Sequence, residues 1–144
     1  MNLWKYLKNK MQPNLQQIVC ENDAVMTFEE MIIFAENFGR KLCGMKCCAI
    51  LCKSEMAASM ALLSCFAAEV TALPLSQRYG ELHCNKILDV VNPDAVITDQ
   101  YGELQIIHIK DSRYVEPKLH PAIMMCTSGT TGVPKAAMLT DANV

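Results

Sequence analysis

The run Thr127-Ser128-Gly129-Thr130-Thr131-Gly132-Val133-Pro134-Lys135 concentrates more chemistry than any other stretch of the chain. Four hydroxyl residues and two glycines follow an apolar segment, and a lysine closes the run. Such a composition suits a polyphosphate, which is held by several short donors at once. Glycines let backbone N–H groups approach and permit positive φ, hydroxyls add donors, and the ammonium adds a point charge. Pro134 stiffens the chain just ahead of Lys135. A Ser/Thr/Gly/Pro cluster between two apolar runs also reads as an ordinary turn, so composition alone leaves both readings open. The spacing is not that of the Walker loop, G-x-x-x-x-G-K-[ST] leading into a helix. Here Ala136 follows Lys135, and Ala136-Ala137-Met138-Leu139 reads as a strand, with Asp141 a candidate helix cap beyond it.

Other reactive residue types carry weaker patterns. The eight cysteines include no C-x-x-C pair, and Cys47, Cys48 and Cys52 fall in the apolar run CCAILC, so buried free thiols of a reducing, cytoplasmic compartment are expected and no metal site is assigned. His83, His108 and His120 are isolated. A formal charge of -2 gives no electrostatic reason for a nucleic-acid partner. The most apolar uncharged run, between Glu55 and Glu69, is shorter than the roughly twenty residues a bilayer requires, so no membrane partner is expected. The first fifteen residues lack the apolar core of a secretory signal.

The elements that must position the run are legible from periodicity. Leu3, Trp4, Leu7 and Met11 recur at helical spacing. Gln17–Cys20 and Ala24–Met26, separated by Glu21-Asn22-Asp23, read as a small hairpin. Thr27-Phe28-Glu29-Glu30 forms a capping box for a helix presenting Phe28, Met31, Ile32, Ala35, Phe38 and Leu42 on one face, closed by Arg40, Lys41 and Gly44. An alternation comes next: strand Cys47–Cys52, helix Glu55–Glu69 capped by Ser54, strand Val70–Leu75, helix Glu81–Val91 and strand Asp94–Thr98. That order predicts right-handed βαβ units on a largely parallel sheet with flanking helices, an α/β fold. Leu104–Ile109 is a further strand, 110–120 a loop, and Pro121–Cys126 a buried strand feeding the Thr127–Lys135 run. Length predicts one domain over 1–144.

T-S-G-T-T-G-x-P-K after a short apolar strand resembles the signature loop of the adenylate-forming (AMP-binding) superfamily, which includes acyl-CoA synthetases and the adenylation domains of nonribosomal peptide synthetases. Met26-Thr27-Phe28-Glu29-Glu30 is similar to that group's helix opening. Leu73-Pro74-Leu75 with Arg78-Tyr79 resembles its V-P-L-x-P-x-Y segment, with Gln77 in place of the second proline, and Pro93–Asp99 resembles its strand ending in T-D. The resemblance covers residues 16–144. Two departures lie close to the loop: Ala136 replaces a usual glycine, and Asp141-Ala142-Asn143 replaces His-x-Asn.

The resemblance implies that a substrate carboxylate attacks the α-phosphate of Mg-ATP, and that a thiol of coenzyme A or phosphopantetheine then takes the acyl group. Thr127, Ser128, Gly129, Thr130, Thr131, Gly132 and Lys135 would line the β- and γ-phosphates. It implies no catalytic residue within the chain: the family's adenine-stacking segment, its Mg²⁺ acid, its ribose aspartate and the C-terminal lid with the catalytic lysine would come after residue 144. The expectation is therefore an N-terminal part of an ATP-dependent, carboxylic-acid-activating ligase, inactive alone and with a sheet prone to self-association. The alternative is a non-catalytic domain that binds nucleotide weakly or docks with a partner.

Overall fold

The computed structural model describes residues 2–128 and 134–144, with the backbone alone described at 127–128 and 134–135. Helix α1 (Leu3–Met11) starts where the Asn2 side chain accepts from the Lys5 N–H, and Leu3 and Trp4 are its buried residues. Strands β1 (Ile18–Glu21) and β2 (Ala24–Thr27) pair antiparallel around Asn22, whose φ of 52° takes the left-handed turn.

Helix α2 (Phe28–Lys41) begins at Thr27, whose hydroxyl accepts from the Glu30 N–H at 3.1 Å. The reciprocal contact from the Glu30 side chain does not form, so only half of the expected capping box is present. One face of α2 is buried through Met31, Ile32, Ala35, Phe38 and Gly39.

The central sheet has the order β6-β5-β3-β4-β7-β8. Strands β3 (Cys47–Ile50), β4 (Thr71–Pro74), β5 (Ala95–Gln100) and β7 (Ile123–Ser128) are mutually parallel. The edge strands β6 (Glu103–His108) and β8 (Pro134–Leu139) run antiparallel to β5 and β7, so the sheet is parallel only in its middle. Both exceptions are short hairpin returns, which need no crossover helix.

Alternate residues of each central strand face opposite layers. Cys48, Ile50, Ala72, Ala95 and Ile97 meet α2 and α3 (Glu55–Ala67) through Phe38, Leu42, Ala61 and Cys65. Cys47, Ala49, Leu73, Leu75 and Met124 meet α4 (Glu81–Val91) through Cys84 and Ile87. Helix α1 closes one end of the first layer, packing Leu3 and Trp4 against Ile32, Ala35, Phe66 and Ala122. The βαβ alternation is thus realised, with helices on both faces. No described helix is long and apolar enough to cross a membrane.

Candidate functional site

Strand β7 delivers the Thr127–Lys135 run to a defined place. The Thr71 hydroxyl donates to the Pro121 carbonyl at 2.6 Å inside the core, and the Ala72 N–H donates to the Ala122 carbonyl, fixing β7 beside β4. Strand β8 then returns antiparallel, with Thr127 opposite Lys135 and Ser128 opposite Pro134. The first and last residues of the run are therefore backbone neighbours at one end of a hairpin. Gly129, Thr130, Thr131 and Gly132 lie outside the described residues.

That end of the hairpin belongs to the carboxyl edge of the parallel strands. After β3 the chain passes to α3 on one face, and after β4 to α4 on the other. Open α/β sheets bind ligands beyond the carboxyl ends of their strands, where successive connections diverge in this way. The sequence-predicted residues Thr127, Ser128 and Lys135 are brought to this edge.

A second anion-suited place on the same edge, the start of α3, is filled by the protein's own carboxylates. Asp99 at the end of β5 accepts from the Lys53 N–H at 2.7 Å and the Ser54 N–H at 3.1 Å. Glu21 of the hairpin accepts from the Ser54 hydroxyl at 2.6 Å and from the Glu55 and Met56 N–H groups at 2.9 Å. An incoming phosphate finds these donors occupied. A third carboxylate, Asp94, accepts from the Lys46 and Cys47 N–H groups at the other end of β3.

The Glu21 contacts predict a pH dependence. The Ser54 hydroxyl first, and then the Met56 and Glu55 N–H groups, hold its carboxyl below the ordinary 4.5. A folded value below the unfolded one gives a contribution fully present above the unfolded value and lost as pH falls through the folded one. Glu21→Gln is expected to lower stability at neutral pH and to flatten the acid limb of the stability profile. Urea unfolding measured across pH 7 to about pH 3 checks this; an acid limb as steep as that of the unsubstituted chain would show that Glu21 is not bound at α3.

The cysteines offer no nucleophile to this edge. Cys47, Cys48, Cys65 and Cys84 are buried, while Cys20 and Cys43 are exposed, and all eight are free. Burial, and then the Asp99 charge, pushes the Cys52 thiol up to about 12. Burial also raises Cys84 and Cys126, so these groups are thiols rather than thiolates at neutral pH. A cavity of about 350 Å³ lies at the opposite edge, between α1 and the chain leading into β4 and β7. Asn2, Leu3, Phe66, Glu69, His120 and Asp141 are among the residues that line it. There Asp141 accepts from the Leu3 N–H at 3.1 Å, so the cap expected of it serves the first helix of the chain.

Sequence reasoning missed the three carboxylate plugs. Asp94, Asp99 and Glu21 lie at or beside strand ends in the sequence, as polar residues ordinarily do. Their partners lie 33 to 48 residues away, so no local spacing marks them.

Known structures share this architecture. An O-succinylbenzoate coenzyme A synthetase (MenE) from Bacillus subtilis, solved with AMP, matches with a TM-score of 0.70 at 23% identity, over 95% of this chain and 42% of that one. The N-terminal subdomain of Klebsiella oxytoca NpsA matches at 0.72 and 14% identity, over 94% and 41%. A fatty acyl-adenylate ligase from L. pneumophila, solved with acyl adenylate and pyrophosphate, matches at 0.69 and 17% identity, over 97% and 30%. At these identities the likeness is one of fold, and the chain spans less than half the length of each. No curated protein matches the chain by sequence. The AMP-binding enzyme family, however, matches over residues 8–144, a span that includes both β7 and β8 and the run that joins them. The chain belongs to the AMP-binding enzyme family.

Proposed function

We propose that residues 127–135 hold the β- and γ-phosphates of ATP, and that residues 1–144 are the N-terminal part of a ligase that activates a carboxylic acid by adenylation. The observation that carries this reading is the backbone pairing of Thr127 with Lys135 at the carboxyl edge of a doubly wound sheet. This pairing brings the two ends of the donor-rich run together on the strand next to β4.

In that reaction a carboxylate oxygen bonds to the α-phosphorus and the bond from that phosphorus to the bridging oxygen of the β-phosphate breaks. The electron pair leaves with pyrophosphate. The residues of this chain do no covalent work in the step. Thr127, Ser128, Gly129, Thr130, Thr131, Gly132 and Lys135 would hold the departing pyrophosphate and offset its charge, which is positioning and electrostatic stabilisation. Magnesium would neutralise phosphate charge when bound. The described residues include no group of three His, Cys, Asp or Glu side chains that could hold a metal ion, so no ligand set is assigned to it. Transfer of the acyl group to a thiol of coenzyme A or phosphopantetheine would complete the ligase reaction. The raised, buried thiols of the chain suit a reducing, cytoplasmic setting.

A titration of the chain with inorganic pyrophosphate or Mg-ATP, monitored by amide shifts, tests the reading. Shifts are expected at residues 127–135, and Lys135→Ala is expected to weaken binding about tenfold, the loss of one charge-assisted contact. No shift at millimolar ligand would sink the assignment.

The second reading, a domain that binds nucleotide without catalysis, is separated from the first by acid-dependent pyrophosphate exchange. The chain alone is expected to show none. The exposed Met125 and Met138, on opposite faces of the β7–β8 edge, also favour self-association of the isolated chain, which light scattering would register as mass above the 16.0 kDa monomer.

A further inference from the structure

Residues 110–120, between β6 and β7, belong to no helix or strand. Among the described residues, hydrogen bonds tie them to other elements at two side chains. The Ser112 hydroxyl donates to the Asn92 carbonyl at 2.9 Å, and His120 Nε2 lies 3.0 Å from the Glu69 carbonyl oxygen. On its other side His120 Nδ1 pairs with the Glu116 carboxylate, four residues back in the same segment. Pro121 and Ala122 come next, and their carbonyls accept from the Thr71 hydroxyl and the Ala72 N–H of β4. His120 therefore fastens the segment just before it joins the sheet as β7.

Both atoms that face the ring nitrogens are oxygen acceptors. A neutral imidazole has one N–H and one lone-pair nitrogen, so it satisfies one acceptor and turns a lone pair on the other. The imidazolium donates to both. Its charge also suits the place. Glu69 lies just past the cap residue Ala68 of α3, with a left-handed φ of 56°, and the last turn of α3 carries no basic side chain. The carbonyl end of a helix favours a cation.

The acids around the ring come from three elements. Glu116 belongs to the segment itself. Glu69 ends α3, and its carboxylate accepts from the Asn2 amide at 2.8 Å. Asp141 follows β8, and its carboxylate accepts from the Leu3 N–H at 3.1 Å. Asn2, Glu69, His120 and Asp141 line the cavity of about 350 Å³ beside α1, and no Lys or Arg is among its lining residues.

We propose that His120 is a proton-operated clasp, closing residues 110–120 onto the C-terminal end of α3 when the ring carries both protons and releasing them when it carries one. Free histidine gives up its second proton at about pH 6.5. The clasp is closed below that range and opens as the ring deprotonates above it. Its contribution is lost with rising pH, the opposite sense to that of Glu21. The side chains of His120 and Glu116 remain 48% and 37% exposed, so the effect is a local opening of the segment rather than a loss of the fold.

Trypsin cleavage of the 144-residue chain after Lys118, exposed within the clasped segment, reads that opening. Rates at about pH 6 and about pH 8.5, on either side of the histidine range, are divided by those of a short peptide carrying the same bond. The division removes the protease's own pH dependence. The unsubstituted chain is expected to be cleaved about fivefold more slowly at the lower pH, the effect of one half-exposed charged contact. His120→Gln, neutral throughout, is expected to show equal corrected rates at the two pH values. Glu116→Gln keeps an acceptor without its charge and is expected to lose most of the difference. Cleavage after Lys86, inside α4, reports unfolding of the whole and is expected not to change. Equal corrected rates in the unsubstituted chain, an undiminished difference in either variant, or a change at Lys86 matching that at Lys118 would overturn the clasp.

Discussion

Gly39→Leu is expected to destabilise the chain by about 3 kcal/mol or more, the cost of overpacking a tight helix crossing. Gly39 sits on the buried face of α2 where it crosses α3. A Cβ placed there stands 3.1 Å from the Ser64 carbonyl oxygen and 3.4 Å from the Ala67 Cβ. The obstacle is backbone, and the Ser64 side chain cannot yield because its hydroxyl is buried and donates to the Met60 carbonyl. A leucine adds three carbons beyond that Cβ and must push α2 away from α3, opening the layer that holds Phe38, Ala61 and Cys65. Helix propensity acts the other way, favouring leucine over glycine by somewhat less than about 1 kcal/mol, and is too small to compensate. Gly39→Ala separates the two effects. Its single methyl asks the neighbours for a few tenths of an ångström, so it is expected within about 1 kcal/mol of the unsubstituted chain. Urea unfolding monitored at Trp4, the one tryptophan and itself packed in the adjoining cluster with Ile32 and Phe66, reads both variants. A Gly39→Leu chain as stable as the unsubstituted one would refute the close crossing of α2 and α3.

Leu73→Ala should cost about 3 kcal/mol by the same measurement, within the range of large-to-small core substitutions. Leu73 has no exposed surface and lies on β4 among Cys47, Ala49, Leu75, Ile87 and Met124. Both neighbouring strands and α4 are fixed by their own contacts, so the space left by three missing carbons cannot easily close. The comparison residue is Leu82, on α4 but 73% exposed. Leu82→Ala is expected to change stability by less than about 0.5 kcal/mol. Equal losses at Leu73 and Leu82 would mean that α4 does not cover the sheet as described. Because β4 also flanks β7, Leu73→Ala tests the platform of the proposed phosphate site without touching the site.

Some of the fold was legible because the interactions that build it are local. Thr27 and Ser54 each accept from an N–H three residues onward, a relation readable in any window of four residues. The bounds of α4, Glu81–Val91, agree with its apolar period and with the turn residue Asn92, which adopts the left-handed conformation. The continuous apolar character of Cys47–Ile50 marked a strand covered on both faces, and all four residues are buried. The Thr127–Lys135 run was legible for a different reason: its donors, glycines and lysine are contiguous.

The place of that run was another matter. Nothing in its composition says that β7 pairs with β4 rather than with β5, or that β8 turns back antiparallel to set Lys135 opposite Thr127. The same holds for Gly39, an ordinary helix interior glycine until α3 lies against it. Asp141, expected to cap a helix beyond β8, instead accepts from the first turn of the chain across 138 residues.

The sequence by itself determined the types of the elements, the α/β class and a donor-rich run suited to a polyphosphate, because each depends on residues close together along the chain. Only the tertiary structure decided the strand order, the carboxylates that fill the start of α3, and the pairing that sets Thr127 opposite Lys135. These depend on which distant segments bury one another's apolar faces, and an acid at a strand end looks the same in the sequence whether water or a backbone N–H from another element completes its shell.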